Sequence, residues 1–192
     1  MTHPAIPSRL PAGATEEGDG IMIGDGPVRI DAFIDFLCPF CRRFELSSGS
    51  ALAGLVAGGQ VSLVYHPMNF LDDASTTRYS SRATAASGCA ADEGRFLEYA
   101  HALFVDQPRE GGPGLDNAEL AAIGQAVGLA GAAFSACLTE GHYLDWAPYV
   151  TARAVALGVE ATPTVLVAGS VVRPEPKPIE HAVEKAARGG PG

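Results

Sequence analysis

The chain has 192 residues, 47% of them hydrophobic, and carries 22 acidic against 13 basic side chains for a net charge of -9. That length suffices for one domain with a real core carrying an inserted subdomain, and the composition excludes a disordered chain. The acidic balance argues against nucleic acid and anionic membrane surfaces as main partners, and no run approaches the roughly 20 apolar residues of a membrane span.

Residues 1–20, rich in Pro, Gly, Ala and Glu, read as a flexible, loosely held arm. They lack a basic region followed by an apolar run, so no leader peptide is visible. Taken as given, the sequence points to the cytoplasm, or to export if it is a mature form. Ile21-Met22-Ile23-Gly24 reads as a short edge strand, closed by a turn at Gly24-Asp25-Gly26-Pro27. Val28–Phe36 is an apolar strand. Pro39 to Ala57 has a helical pattern, with Phe40, Phe44, Leu52, Leu55 and Val56 on one face and Gly58-Gly59 as the stop. Val61–Tyr65 is a β-branched strand that closes a β-α-β unit, which implies parallel strands.

From Thr76 to Leu157 the pattern is helical. Helices are expected over Thr76–Ala91, Asp92–Val105, from Leu115 with Asp116 or Asn117 as cap, Ala130–Glu140 and Tyr143–Leu157, with a Pro/Gly loop at Gln107–Gly114. After Gly158, Thr164–Val167 and Val171–Arg173 form a hairpin, and a last helix spans Ile179–Ala187. The expected division is therefore an arm at 1–20, an α/β domain at 21–75 and 158–188, and a helical insertion at 76–157.

Chemistry concentrates at Cys38-Pro39-Phe40-Cys41, where a strand ends and a helix opens. Cys38 falls at the helix N-terminus, where unpaired N–H groups and the macrodipole favour an anion, and so a thiolate. Pro39 suits the first helical position because its missing N–H has no partner to lose there. Half of a zinc site is the competing reading, with an inert buried pair behind it. Zinc needs four ligands; Cys89 and Cys137 are single, and His66, His101, His142 and His181 are scattered, so no metal is expected. Gly24-x-Gly26 alone is a turn and not a nucleotide site. His66 and Asn69 follow the second strand and are weighed as structural, Trp146 and Tyr149 as core, Asp72 and Asp73 as capping or solvating a loop. Thr162-Pro163, just before the hairpin, reads by itself as an ordinary trans proline at a strand start.

The order strand, Cys-x-x-Cys helix, strand, helical insertion, Thr-Pro, hairpin, helix resembles the DsbA-like branch of the thioredoxin superfamily. The likeness runs from about Ile21 to Ala187 and rests on Asp35-Phe36-Leu37-Cys38-Pro39-Phe40-Cys41 and Val159-Glu160-Ala161-Thr162-Pro163-Thr164. It implies a thioredoxin-like fold with a central mixed β-sheet and an inserted all-helical subdomain. It implies a thiol-disulfide oxidoreductase in which Cys38 and Cys41 exchange with protein or peptide thiols, with a redox recycling partner and no further cofactor. An exposed Cys38 takes the attack. Leu37, Phe40, Thr162 and Pro163 form an apolar patch for extended polypeptide, and Thr162-Pro163 becomes a cis bond facing the pair. Some actinobacterial members similar here join two insertion helices by a disulfide, which makes Cys89–Cys137 a candidate bridge, two reduced thiols being the alternative. Many thioredoxin-type proteins place a buried acid six residues before the first cysteine. Here that position is Ala32, and Asp31 and Asp35 have the opposite parity, so the usual proton-relay carboxylate has no evident holder. Phe40 stands where strong oxidants of the family carry His, so a milder oxidant is expected. A disulfide reductase or isomerase, or a non-catalytic polypeptide-binding module of the same fold, are the rival readings. With no room for an added dimerisation domain, a monomer is expected.

Overall fold

The computed structural model describes residues 5–189. A five-stranded mixed sheet runs β1-β3-β2-β4-β5, with strands β1 Ile21–Ile23, β2 Val28–Asp35, β3 Val61–Met68, β4 Thr164–Val167 and β5 Ser170–Val172. β2 is central, parallel to β3 on one side and antiparallel to β4 on the other. Buried strands of this kind read as near-continuous apolar runs, and seven of the eight β2 residues are buried. Helix α1, Pro39–Ala57, joins β2 to β3, and packs with the last helix, α7 Pro176–Gly189, against the sheet.

Between β3 and β4 come α2 Tyr79–Asp92, α3 Phe96–Val105, α4 Asn117–Ala126, α5 Ala132–Glu140 and α6 Trp146–Ala156. α2 and α6 pack on β3, which anchors the helical block to the sheet. Asp116 caps α4 through a capping box with Glu119, the reciprocal pairing that its sequence position favours. The β4–β5 turn holds Ala168 and Gly169 at positive φ, the backbone of a tight two-residue hairpin.

Among the expectations that change, four have a clear physical cause. β3 continues through His66-Pro67-Met68, because Pro67 lies beyond the residues that pair with β1 and needs no N–H there. α2 starts at Tyr79 rather than Thr76, since Arg78 adopts a left-handed conformation that cannot continue a helix. α3 starts at Phe96 rather than Asp92, because Gly94 at φ +68 breaks the chain between two helices. The expected loose arm, of which residues 1–4 lie outside the described residues, is tied down from Leu10 onward. Ala12 N donates to Asp92, Trp146 Nε1 to Gly18 O at 2.8 Å and Tyr149 Oη to Glu17 O at 2.6 Å. Ala14 bridges to Ile21, and Pro11, Thr15 and Asp19 are buried. Composition suggests mobility, but several of the segment's backbone groups are paired, some within the arm and some with the helical block.

Candidate active site

β2 delivers the chain to Phe36-Leu37, and Cys38 is the N-cap of α1, with an extended backbone and Pro39 in the first turn. Arg42 N donates to Cys38 O at 3.1 Å, the first bond of the helix. Cys38 and Cys41 are free thiols, both buried. The expected exposed Cys38 is corrected: it is 4% exposed, its thiol 3.4 Å from the carbonyl oxygen of Thr162, while Cys41 has no exposure at all. Cys38 is therefore the shallower sulfur, tucked under the Thr162-Pro163 loop. The Thr162–Pro163 peptide bond is cis. Phe40, by contrast, is 59% exposed beside the pair. Tertiary folding thus gathers Thr162 against a cysteine 124 residues away.

The two thiols are electrostatically unlike. Cys38 is drawn down from an ordinary 9.0 to about 6, first by the hydrogen bond from Cys41 and then by Thr162 and the N–H groups of Cys41 and Phe40, against the cost of burial. Cys41 is held far above the usual thiol range, by burial first and then by the adjacent Cys38. One sulfur is thus a thiolate near neutral pH and the other a retained thiol, the asymmetry that thiol–disulfide exchange needs.

The position six residues before Cys38, where a buried acid is expected, is Ala32. Asp35 is a buried acid beside the pair, but it meets Cys41 through its backbone N–H and turns its carboxyl to other partners. It is fully buried. Its Oδ1 accepts from Leu37 N at 2.8 Å and Ser80 Oγ at 2.7 Å, and its Oδ2 from Leu71 N at 2.9 Å. Its own N–H points at Cys41 Sγ, 3.4 Å away. Burial pushes its carboxyl up to about 6, while bonds from Ser80, Leu37 and Leu71 pull the other way and the Cys38 charge adds to the rise. Strand parity compared Asp35 with Ala32, but Asp35 ends β2, and the turn that follows folds Cys41 back over it.

By its sequence position Gln107 belongs only to a loop. Its Nε2 donates to Phe36 O at 2.9 Å and Cys38 O at 3.0 Å, so one amide bridges the carbonyls on either side of Leu37. Arg42 Nε donates to Phe104 O at 2.8 Å. Both contacts span more than 60 residues, and nothing in the local pattern marks them.

The remaining residues lie elsewhere. Cys89 of α2 and Cys137 of α5 form a disulfide with Cα atoms 5.9 Å apart. His66 is buried, with Nε2 3.0 Å from Asp31 Oδ1 and Nδ1 2.7 Å from Asp19 O, a link between β3, β2 and the arm. Asn69 bonds Thr151, Asp72 and Ser81. Asp72 is buried rather than solvated and accepts from Ser81 N in the first turn of α2, so it caps that helix from a distance. Trp146 is core. No cluster of three His, Cys, Asp or Glu side chains able to hold a metal occurs among the described residues.

A family model described as Thioredoxin matches residues 16–185. Among solved structures the chain is similar to the reduced form of the disulfide bond oxidoreductase DsbG from Mycobacterium tuberculosis, with 32% identity, a TM-score of 0.79, and coverage of 92% of this chain and 91% of that one. It is also similar to reduced DsbA of the same organism, with 30% identity, a TM-score of 0.72, and coverage of 87% and 98%. A further likeness, 38% identity over 138 residues, is to serine/threonine-protein kinase PknE of M. tuberculosis strain H37Rv, covering 67% of this chain and 24% of the kinase. The chain thus spans about a quarter of the length of the curated relatives it matches.

Proposed function

We infer the reaction from the premise that this chain belongs to the thioredoxin family: it is a DsbA-like thiol-disulfide oxidoreductase, and Cys38 and Cys41 carry the exchange. The observation that carries this reading is the free Cys38 and Cys41 pair at the N-terminus of α1, with Cys38 under Thr162 and drawn down to about 6 while Cys41 is held far higher. In the oxidising direction a substrate thiolate attacks Cys38 Sγ of the closed pair. The Cys38–Cys41 bond breaks, its electron pair goes to the Cys41 sulfur, and Cys41 takes up a proton. A second substrate thiolate then attacks the substrate sulfur of the mixed disulfide, and Cys38 leaves as a stabilised thiolate. The substrate loses two electrons and the pair gains them.

A low Cys38 pKa favours this direction, because it stabilises the reduced enzyme and so makes the closed pair an oxidant. The Thr162–Pro163 segment lies against Cys38, with Phe40 open beside it, and this supports extended polypeptide as substrate. The disulfide itself is the only cofactor the cycle requires, and a separate disulfide-bearing partner reoxidises the pair. We place the protein in an oxidising compartment, a reading supported by the Cys89–Cys137 bridge. A single copy suffices, since every group named comes from one chain; size-exclusion chromatography with light scattering tests this.

Equilibrium with glutathione, read by mass after thiol trapping, tests the direction. A potential between roughly -120 and -180 mV is expected; a value near roughly -270 mV would mark a thioredoxin-like reductant and overturn it. Cys38→Ser is expected to abolish exchange with a dithiol peptide. Undiminished activity in that variant would leave only a binding module of the same fold.

A further inference from the structure

We propose that the exposed start of α1 selects partner polypeptides that carry carboxylates beside the reacting cysteine. The inference rests on the oxidoreductase reading and names the substrate class for that site. Pro39, Arg42, Arg43, Leu46 and Ser47 line an open groove of about 510 Å³ along the first turns of the helix that Cys38 caps. Phe40 and Leu46 supply exposed apolar surface there. The Arg43 guanidinium sits 5.4 Å from the Phe40 ring centroid, a cation–π contact that orders the side chain without neutralising it. Arg42 is held by the carbonyls of Phe104 and Val105, partners that leave its charge uncompensated.

No ion pair joins either arginine to a carboxylate among the described residues. The single acid of α1, Glu45, is buried and turned to Tyr65 and His101. Two ordered guanidinium groups unpaired with any acid and an aromatic face therefore sit within the first two turns after Cys38. The net charge of -9 does not oppose this. Screening at physiological salt confines surface charges to a reach of about 8 Å, so the local sign decides. A guanidinium takes a carboxylate through two parallel N–H bonds, which makes Asp or Glu the matching side chain. Exposed Glu160 lies two residues before Thr162 on the loop over Cys38, so the partner's carboxylate belongs toward α1 and not toward that loop.

The test uses the oxidised full chain and three peptides of equal length, each with one cysteine flanked by Glu, Gln or Lys. Formation of the mixed disulfide is followed by mass after acid quench, with rates expressed per thiolate because the flanks shift each peptide's own thiol. The uncharged thiol 2-mercaptoethanol reports the intrinsic reactivity of the pair. The Glu peptide is expected to react about tenfold faster than the Lys peptide at low ionic strength, the gap closing near 1 M salt, where the screening length falls to about 3 Å. Arg43→Glu, and the double variant Arg42→Glu with Arg43→Glu, are expected to reverse the order; the order is read within each variant, so a uniform change in Cys38 reactivity cancels. Reaction with 2-mercaptoethanol but no peptide preference, or a preference that survives the double variant, overturns this inference alone. No reaction with any thiol overturns the oxidoreductase reading and this inference with it.

Discussion

Cys38–Cys41 and Cys89–Cys137 are the same chemical couple set in opposite surroundings. The first pair has two residues between its members, at the junction of a strand and a helix, and is open. The second joins the interiors of α2 and α5 across 48 residues and is closed. Around the first, Cys41, Thr162 and the backbone N–H groups of the helix start make Cys38 acidic, while burial and the adjacent Cys38 leave Cys41 a thiol. Around the second, packed helices of an Ala-rich block supply no such asymmetry. The lesson is that reactivity resides in the unequal stabilisation of two thiolates, whereas a structural bridge works through the loop it closes.

The contrast can be broken in several ways. The largest expected effect is kinetic. Alkylation of the reduced protein by iodoacetamide should occur at Cys38 with a midpoint near pH 6, rising about 100-fold between pH 4 and pH 8 as the thiolate fills, with Cys41 silent. Because the folded pKa lies below its ordinary 9.0, the thiolate's contribution to the stability of the reduced form is fully present above about pH 9 and is lost as pH falls through about 6. Equal labelling of both cysteines would remove the asymmetry on which the comparison stands.

Replacing both Cys89 and Cys137 by Ala should lower the unfolding free energy by about 4 kcal/mol, the loop-closure value for a 48-residue separation. The Cys38–Cys41 potential should not move. A shifted potential in that variant, measured against glutathione, would show that the two pairs are coupled.

Asp35→Ala strands three donors, Leu37 N, Ser80 Oγ and Leu71 N, and is expected to cost about 3 kcal/mol in denaturant melts. Asp35→Asn sharpens the point through pH. The folded pKa of Asp35 is raised to about 6, so its favourable contribution is fully present below about 3.8 and is lost as pH rises through about 6. The Asn variant should lose that pH dependence and lower the Cys38 midpoint, since a neighbouring negative charge is gone. An unchanged midpoint would reduce Asp35 to a structural acceptor.

Gln107→Leu is the smallest. Freeing the carbonyls of Phe36 and Cys38 should cost about 1 kcal/mol and raise the Cys38 midpoint by less than one unit. A midpoint that stays put while stability falls would separate holding the loop from tuning the thiol.

Local chemistry made much of the frame readable. Pro39–Ala57 emerged with its expected bounds because a Pro start, an apolar face and a Gly-Gly stop all lie within the segment. β2 and β4 were marked by β-branched and apolar runs. The boundary between α2 and α3 slipped because Asp92-Glu93-Gly94-Arg95 is compatible with a helix until Gly94 takes a positive φ. The arm was misjudged because composition cannot show that Trp146 and Tyr149, more than 120 residues away, will bind its carbonyls.

The sequence by itself determined the reactive pair, its place at a helix N-terminus and the order of elements that identifies the fold, since each depends on neighbours within a few residues. Tertiary structure alone decided which groups surround that pair. Asp35 reaches Ser80 and Leu71, Gln107 reaches Phe36 and Cys38, and Thr162 covers Cys38, across separations of 36 to 124 residues. Hydrogen bonds of that range are chosen by how the helical block docks on the sheet, because a buried donor or acceptor must find a partner wherever packing sets it down.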